Sequence, residues 1–192
     1  MNGSSMPPLQ STVLVVIDVQ AGFLRESSRH VVEPIANLLK AWQRAGGASV
    51  VATFENPPGS QYETITGWVR LRTPEEQALA PELVALAAQA DLRVVKSTSS
   101  LLMVPGIIDT FRARGWQHAL ICGIDTDACV YDTAVALFQN SITPWLVVDA
   151  CASSGGEALH NAALLLANRN LAPRLLIAAE DVHRMLTEGV SQ

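Results

Sequence analysis

Lysine is almost missing from this 192-residue chain: Lys40 and Lys96 are the only two among 13 basic residues. Basic clusters are missing too, and with a formal net charge of -5 the chain has no phosphate-neutralising face, which excludes nucleic acid as the expected partner. No apolar run approaches the roughly 18 residues of a membrane span, and Met1 to Ser11 has neither a basic start nor an apolar core. The expectation is therefore a cytoplasmic protein with no membrane partner. Only three cysteines occur, Cys122, Cys129 and Cys151, and no C-x-x-C among them, which excludes a disulfide framework, a zinc ribbon and a thioredoxin-type site. The turn after the first hydrophobic run, Asp18-Val19-Gln20-Ala21-Gly22, is not G-x-G-x-x-G, so a nicotinamide dehydrogenase is excluded. Gln20 also stands where an aspartyl phosphatase of the dehalogenase type places its second carboxylate.

What the chain does contain is hydrophobic substance, 49% of residues against 16% charged, which describes one compact domain. A flexible N-terminus over 1–11 is expected to precede a single domain over 12–192. Strand-like runs at Val13 to Asp18, Ser49 to Phe54, Arg93 to Lys96, His118 to Cys122, Pro144 to Val148 and Arg174 to Ile177 alternate with helical patterns. Those helical patterns cover Val32 to Ala45, Ile107 to Arg114, Cys129 to Gln139, Glu157 to Asn168 and Glu180 to Leu186. A further helix opens at Pro74 behind Thr73, and an Ala-rich helix follows around Leu79 to Ala90. Between Glu55 and Thr73 no period is visible, which reads as a long loop of functional type. Strands apolar on both faces and separated by helices specify an α/β fold. It is a doubly wound, Rossmann-like three-layer sandwich with a six-stranded, mainly parallel sheet.

Cys129 opens a helical pattern directly after a hydrophobic strand, where free N–H groups and the helix dipole favour a thiolate. The dipole contributes roughly 0.3–1 kcal/mol, whereas moving a thiol from a pKa of about 8.5 to about 6 takes about 3.4 kcal/mol. A working nucleophile therefore needs charged neighbours. Asp18 ends the first strand and Lys96 the third, and in a parallel sheet all strands finish on one edge, where ligands bind. Taken singly, Asp18 fits a cap or turn residue, Lys96 an exposed base, and Cys122 and Cys151 inert packing.

Asp18-Val19-Gln20, Val95-Lys96 and Gly123-Ile124-Asp125-Thr126-Asp127-Ala128-Cys129-Val130, in this order, resemble the isochorismatase-like cysteine hydrolases from about Val13 to Val182. The resemblance implies Cys129 as nucleophile, Asp18 as proton acceptor and donor, and Lys96 as the charge that holds both anions. It implies an oxyanion hole from the backbone N–H groups of Asp125 and Cys129, and a cis peptide between Ile124 and Asp125. Asp125 is a departure, since relatives often carry a small residue there. Nicotinamidases of the family hold a metal on Asp and His residues near the second strand. Here no histidine lies between His30 and His118, so neither metal nor cofactor is expected. Relatives self-associate, which implies a homo-oligomer, a dimer or tetramer.

Gln20, Phe23, Phe54 and Trp68 are candidates for the substrate pocket, with core packing equally open to each, and Trp68 stands out as a loop aromatic without a period. Thr126 and Asp127 read as caps of the cysteine helix, and Asp149 and His160 as structural. The function expected is metal-independent hydrolysis of a C–N bond in a small amide or carbamoyl/ureido compound through a thioester. Alternatives are an isochorismatase, which cleaves an enol ether without a thiol, and a catalytically silent interaction module.

Overall fold

Six parallel strands in the order β3-β2-β1-β4-β5-β6 form the centre of the molecule. The structure is a computed structural model describing residues 6–188. The strands are β1 (Thr12–Ile17), β2 (Ala48–Phe54), β3 (Leu92–Lys96), β4 (His118–Ile124), β5 (Thr143–Ala152) and β6 (Leu176–Ile177). β1 is buried along its whole length and β4 nearly so, because helices cover both faces, and their Val, Leu and Ile runs carry no polar face. The helices are α1 (Val32–Arg44), α2 (Gln61–Thr66), α3 (Pro74–Gln77), α4 (Pro81–Ala87), α5 (Ile107–Ala113), α6 (Tyr131–Gln139), α7 (Glu157–Asn170) and α8 (Ala179–Glu188). The expected α/β doubly wound architecture is the one observed, and every strand pair is parallel.

Strand order reverses between β1 and β4, so the connections leaving these two strands diverge and open a crevice at their carboxyl ends. Asp18 and the cysteine turn leave β1 and β4 at that crevice.

Four local expectations are corrected. The stretch 55–73 is not structureless: α2 lies within it, capped by Ser60, which accepts from the Glu63 N–H, while Glu63 accepts from Gly59 N–H. The helix from Pro74 stops at Gln77, and the Ala-rich helix spans only Pro81–Ala87. Between them Leu79 bridges Gln20, Ala21 N–H donates to Ala78 O, and Ala80 N–H donates to Val19 O. These tertiary bonds, together with the bias against αR before Pro81, outweigh alanine's helix propensity. β5 runs on past Val148 to Ala152 through a register shift against β4, which brings Cys151 beside Gly123. β6 shrinks to two residues because a 3-10 turn, Pro173–Leu175, takes up its start.

Of the N-terminal stretch expected to be flexible, residues 1–5 lie outside the described residues. Leu9–Ser11 form a 3-10 turn, and Ser11 O accepts from Gln117 N–H.

Candidate active site

Asp18 is the first residue past β1, and its φ of 52° lies in the left-handed region. Aspartate tolerates this region better than most residues, and such a conformation costs on the order of 1–3 kcal/mol. The backbone is pinned there by Asp18 N–H donating to Ala52 O and Gln20 N–H donating to Asp18 O. The result is a carboxylate that leaves the strand end at 0% exposure.

Lys96 is the last residue of β3, two strands away from β1. At about 4.8 Å per strand spacing the two backbones stand about 10 Å apart. The long lysine side chain spans the gap, passing with Nζ 5.0 Å from the centroid of Phe54, the residue it pairs with on β2. Nζ ends 2.6 Å from Asp18 Oδ2 and 3.1 Å from Thr98 O, with Lys96 only 2% exposed.

Cys129 sits in a π-helical turn, Thr126–Val130, that leads into α6, and the turn is closed by Val130 N–H donating to Asp125 O at 3.1 Å. The helix thus opens three residues before the cysteine, a correction to the expected start at Cys129. Thr126 and Asp127 do not cap it: Thr126 Oγ1 lies 2.8 Å from His160 Nδ1, Asp127 is exposed, and Asp125 holds the N-cap position. The peptide between Ile124 and Asp125 is cis, as the resemblance implied. Ser99 Oγ donates toward Cys129 Sγ at 3.9 Å.

Sulfur, carboxylate and ammonium therefore meet, although they come from positions 129, 18 and 96. Burial pushes Asp18 above the usual carboxylate range, against the pull of Lys96 and Cys129. Burial works to lower Lys96, but Asp18 and Cys129 outweigh it and hold the ammonium above its ordinary value. Burial, then Asp18, push the Cys129 thiol upward, and Lys96 opposes them. Burial and the Asp18 carboxylate thus work against the thiolate that Lys96 and the helix end favour. The arrangement sets the thiol against a carboxyl that burial makes a better proton acceptor. Asp18 Oδ1 has no hydrogen-bond partner of good geometry, so the carboxyl has an unused acceptor beside that thiol.

A cavity of about 830 Å³ opens over Cys129. Phe23, Phe54 and Trp68 line it as expected, and Tyr62 joins them in one cluster with ring centroids 5.3–6.3 Å apart. Gln20 does not line it, which corrects that expectation. Its amide is buried and spent on backbone, donating to Phe54 O at 3.0 Å and Gln77 O at 2.8 Å and accepting from Phe54 N–H at 2.6 Å. Gln20 thereby ties the ends of β1 and β2 together. Tyr62 was missed by sequence reasoning. Burial, then Cys129, Asp132 and Asp18, push its phenol up to about 12, against a smaller lowering pull from the Ser99 backbone. The signal that could have found it is the capping box Ser60-Gln61-Tyr62-Glu63, which starts a helix inside the loop and puts Tyr62 in its first turn.

Asp125 lines the cavity as well, accepting from Ser154 N–H and from Ser154 Oγ at 2.9 Å. Burial, against those two bonds, raises it to about 6. Cys122 and Cys151 are buried outside the cavity with only weak S–H contacts to carbonyls, and burial takes Cys151 up to about 12. Asp149 lies within β5, where it accepts from Ala179 N–H.

An Isochorismatase domain matches residues 12–178, and the chain belongs to that family, whose members are hydrolases. Phenazine biosynthesis protein PhzD1 of Pseudomonas aeruginosa is 29% identical over 162 residues, which is 79% of this chain and 76% of that protein. Isochorismatase domain-containing protein 2A of Mus musculus is 37% identical over 78 residues, and the match spans only 40% of this chain and 37% of that protein's length. A cysteine hydrolase from Pseudomonas syringae has the same fold, with a TM-score of 0.77 at 18% identity over 96% of this chain and 99% of that one. N-carbamoylsarcosine amidase from Thermoplasma acidophilum also shares it, with a TM-score of 0.74 at 19% identity over 88% of this chain and 96% of that one. Among the described residues no helix is long and apolar enough to cross a membrane.

Proposed function

We propose that this hydrolase cleaves the C–N bond of a small amide or carbamoyl compound through a thioester on Cys129. The observation that carries the reading is the placement of the Cys129 thiol against a buried Asp18–Lys96 pair at the floor of an open cavity. Asp18 takes the thiol proton as sulfur attacks the carbonyl carbon, and backbone N–H groups of Asp125 and Cys129 receive the oxyanion. Asp18 then gives its proton to the leaving nitrogen as the C–N bond breaks. Water attacks the thioester while Asp18 removes one of its protons, the acid departs, and that proton returns to sulfur. Lys96 stays charged throughout, and its work is to make each anionic state bearable in a buried site.

The donor set supports a reading without metal: Asn56, beside the end of β2, spends its side chain on Ser60 and on Trp68 O, and Glu55 is exposed. A reducing cytoplasm suits three free thiols, of which one is a nucleophile.

The enol-ether chemistry of an isochorismatase uses acid catalysis and leaves the sulfur idle. The two separate in one experiment: primary amides, ureido acids and isochorismate are offered to wild type and Cys129→Ala, with ammonia release and intact mass as readouts. The expected result is ammonia from an amide, an acyl adduct on the wild-type chain, and a loss of about 10³-fold or more in Cys129→Ala. Isochorismate turnover that survives Cys129→Ala, with no ammonia from any amide, defeats the thioester step.

A further inference from the structure

Four charged side chains line the cavity: Arg25, Arg70, Asp125 and Asp132. Two are committed, Arg70 to Glu76 at 3.3 Å and Asp125 to Ser154. Arg25 is half-buried, yet among the described residues its guanidinium has neither an ion pair nor a side-chain hydrogen bond. The contrast with Arg72, which reaches both Glu63 and Asn56 O, is direct.

The backbone beneath Arg25 is nonetheless fixed. Arg25 N–H donates to Ser28 Oγ at 2.9 Å, and that buried hydroxyl donates to Phe23 O at 2.7 Å. Arg25 O in turn accepts from the N–H groups of Ser28 and Arg29. The same turn carries Phe23, which packs on Phe54 and Trp68. A guanidinium with five donors thus extends from a fixed turn into a cavity with an aromatic wall, and among the described residues it has no acceptor.

We infer that Arg25 anchors an anionic group, a carboxylate, on a flat unsaturated amide whose body lies along Phe23, Tyr62 and Trp68. This rests on the amide-hydrolase reading above. A carboxylate matches the guanidinium fork bidentately, which fixes direction as well as adding affinity. Direction matters here. Lys96, not Arg25, is the cation paired with Asp18 beside Cys129, so the Arg25 guanidinium is left for another group in the cavity. Asp132, one turn beyond Cys129, lines the same cavity and repels an anion from that end. A carboxylated amide therefore binds one way round, carboxylate on Arg25 and amide over Cys129.

The test uses two probes that differ by one group, benzamide and 3-carbamoylbenzoate. Binding is measured by calorimetry on the full chain carrying Cys129→Ala, alone and combined with Arg25→Gln or Arg25→Lys, and ammonia release is measured on wild type. The expected result is at least about tenfold tighter binding of 3-carbamoylbenzoate, a preference that collapses in Arg25→Gln and partly returns in Arg25→Lys. It should also weaken between about 50 and about 500 mM salt. Equal affinities with Arg25 present, a preference that survives Arg25→Gln, or no binding of either probe overturns the anchor. Preferential binding without ammonia from either probe keeps the anchor and counts against the amidase reading, which falls if no other amide releases ammonia either. Ammonia from both at equal kcat/KM does the reverse.

Discussion

Two ion pairs of nearly equal length hold the two sides of the cavity. Lys96–Asp18 measures 2.6 Å with both side chains at 0% exposure, and Arg72–Glu63 measures 2.7 Å with 24% and 36%. Distance does not tell them apart, but surroundings do. The first lies at the sheet edge, where burial shifts the ionisation of both partners and of the neighbouring thiol. The second fastens α2, on the loop side, where water screens both charges. On the proposed thioester reading, chemistry sits on rigid strand ends that tolerate stored electrostatic cost. The same reading puts recognition on a long connection held by its own caps and aromatic contacts, a part that can vary without disturbing the sheet.

The largest expected effect that sharpens this comparison is Lys96→Met. It leaves Asp18 buried and unpaired, at a cost of about 3–5 kcal/mol in urea unfolding near neutral pH. The sign with pH follows. Without the ammonium, the carboxyl rises further above its ordinary value, so the deficit is greatest at high pH and shrinks as acid protonates Asp18. A deficit that does not change with pH would assign Lys96 a packing role only.

Asp125→Asn comes next. Its carboxyl sits at about 6 in the folded chain against an ordinary 3.8, chiefly through burial, so the folded state binds the proton more tightly than the unfolded one. Its contribution to stability is fully present below the ordinary value and is lost as pH rises through about 6. Urea midpoints taken across that window should fall with rising pH by on the order of 2–3 kcal/mol more in wild type than in the variant. Parallel profiles would mean that the Ser154 bonds offset burial in full.

The smallest effect is expected from Arg72→Met, which should leave the urea midpoint close to wild type. A loss comparable to that of Lys96→Met would break the comparison, because the loop side would then depend on its ion pair as the sheet edge does.

Cys129, Asp18 and Lys96 were legible in the sequence because each follows a hydrophobic run, and a parallel sheet sends all such ends to one edge. Phe23 and Phe54 were legible as aromatics at or just past strand ends, and Trp68 as a loop aromatic without a period. Gln20 was misread for the same reason: a polar residue two places past Asp18 looks like a site residue until the backbone of Phe54 is seen to consume its amide. The alanine segment after Pro74 was misread because local propensity favours helix, while Gln20 draws Leu79 into a bridge. Tyr62 escaped because its helix is short and polar, with only its capping box to announce it.

The sequence by itself determined the layered α/β fold and which three residues end up on one edge of the sheet. Both follow from local hydrophobic periodicity and from the geometry of parallel strands. Only the tertiary structure decided the state and reach of those residues. That Lys96 spans an intervening strand to Asp18, and that burial pushes the Cys129 thiol and the Asp18 carboxyl upward together, depends on how completely the surrounding chain excludes water. Desolvation is a property of the whole packed edge, and no segment of the chain carries it alone.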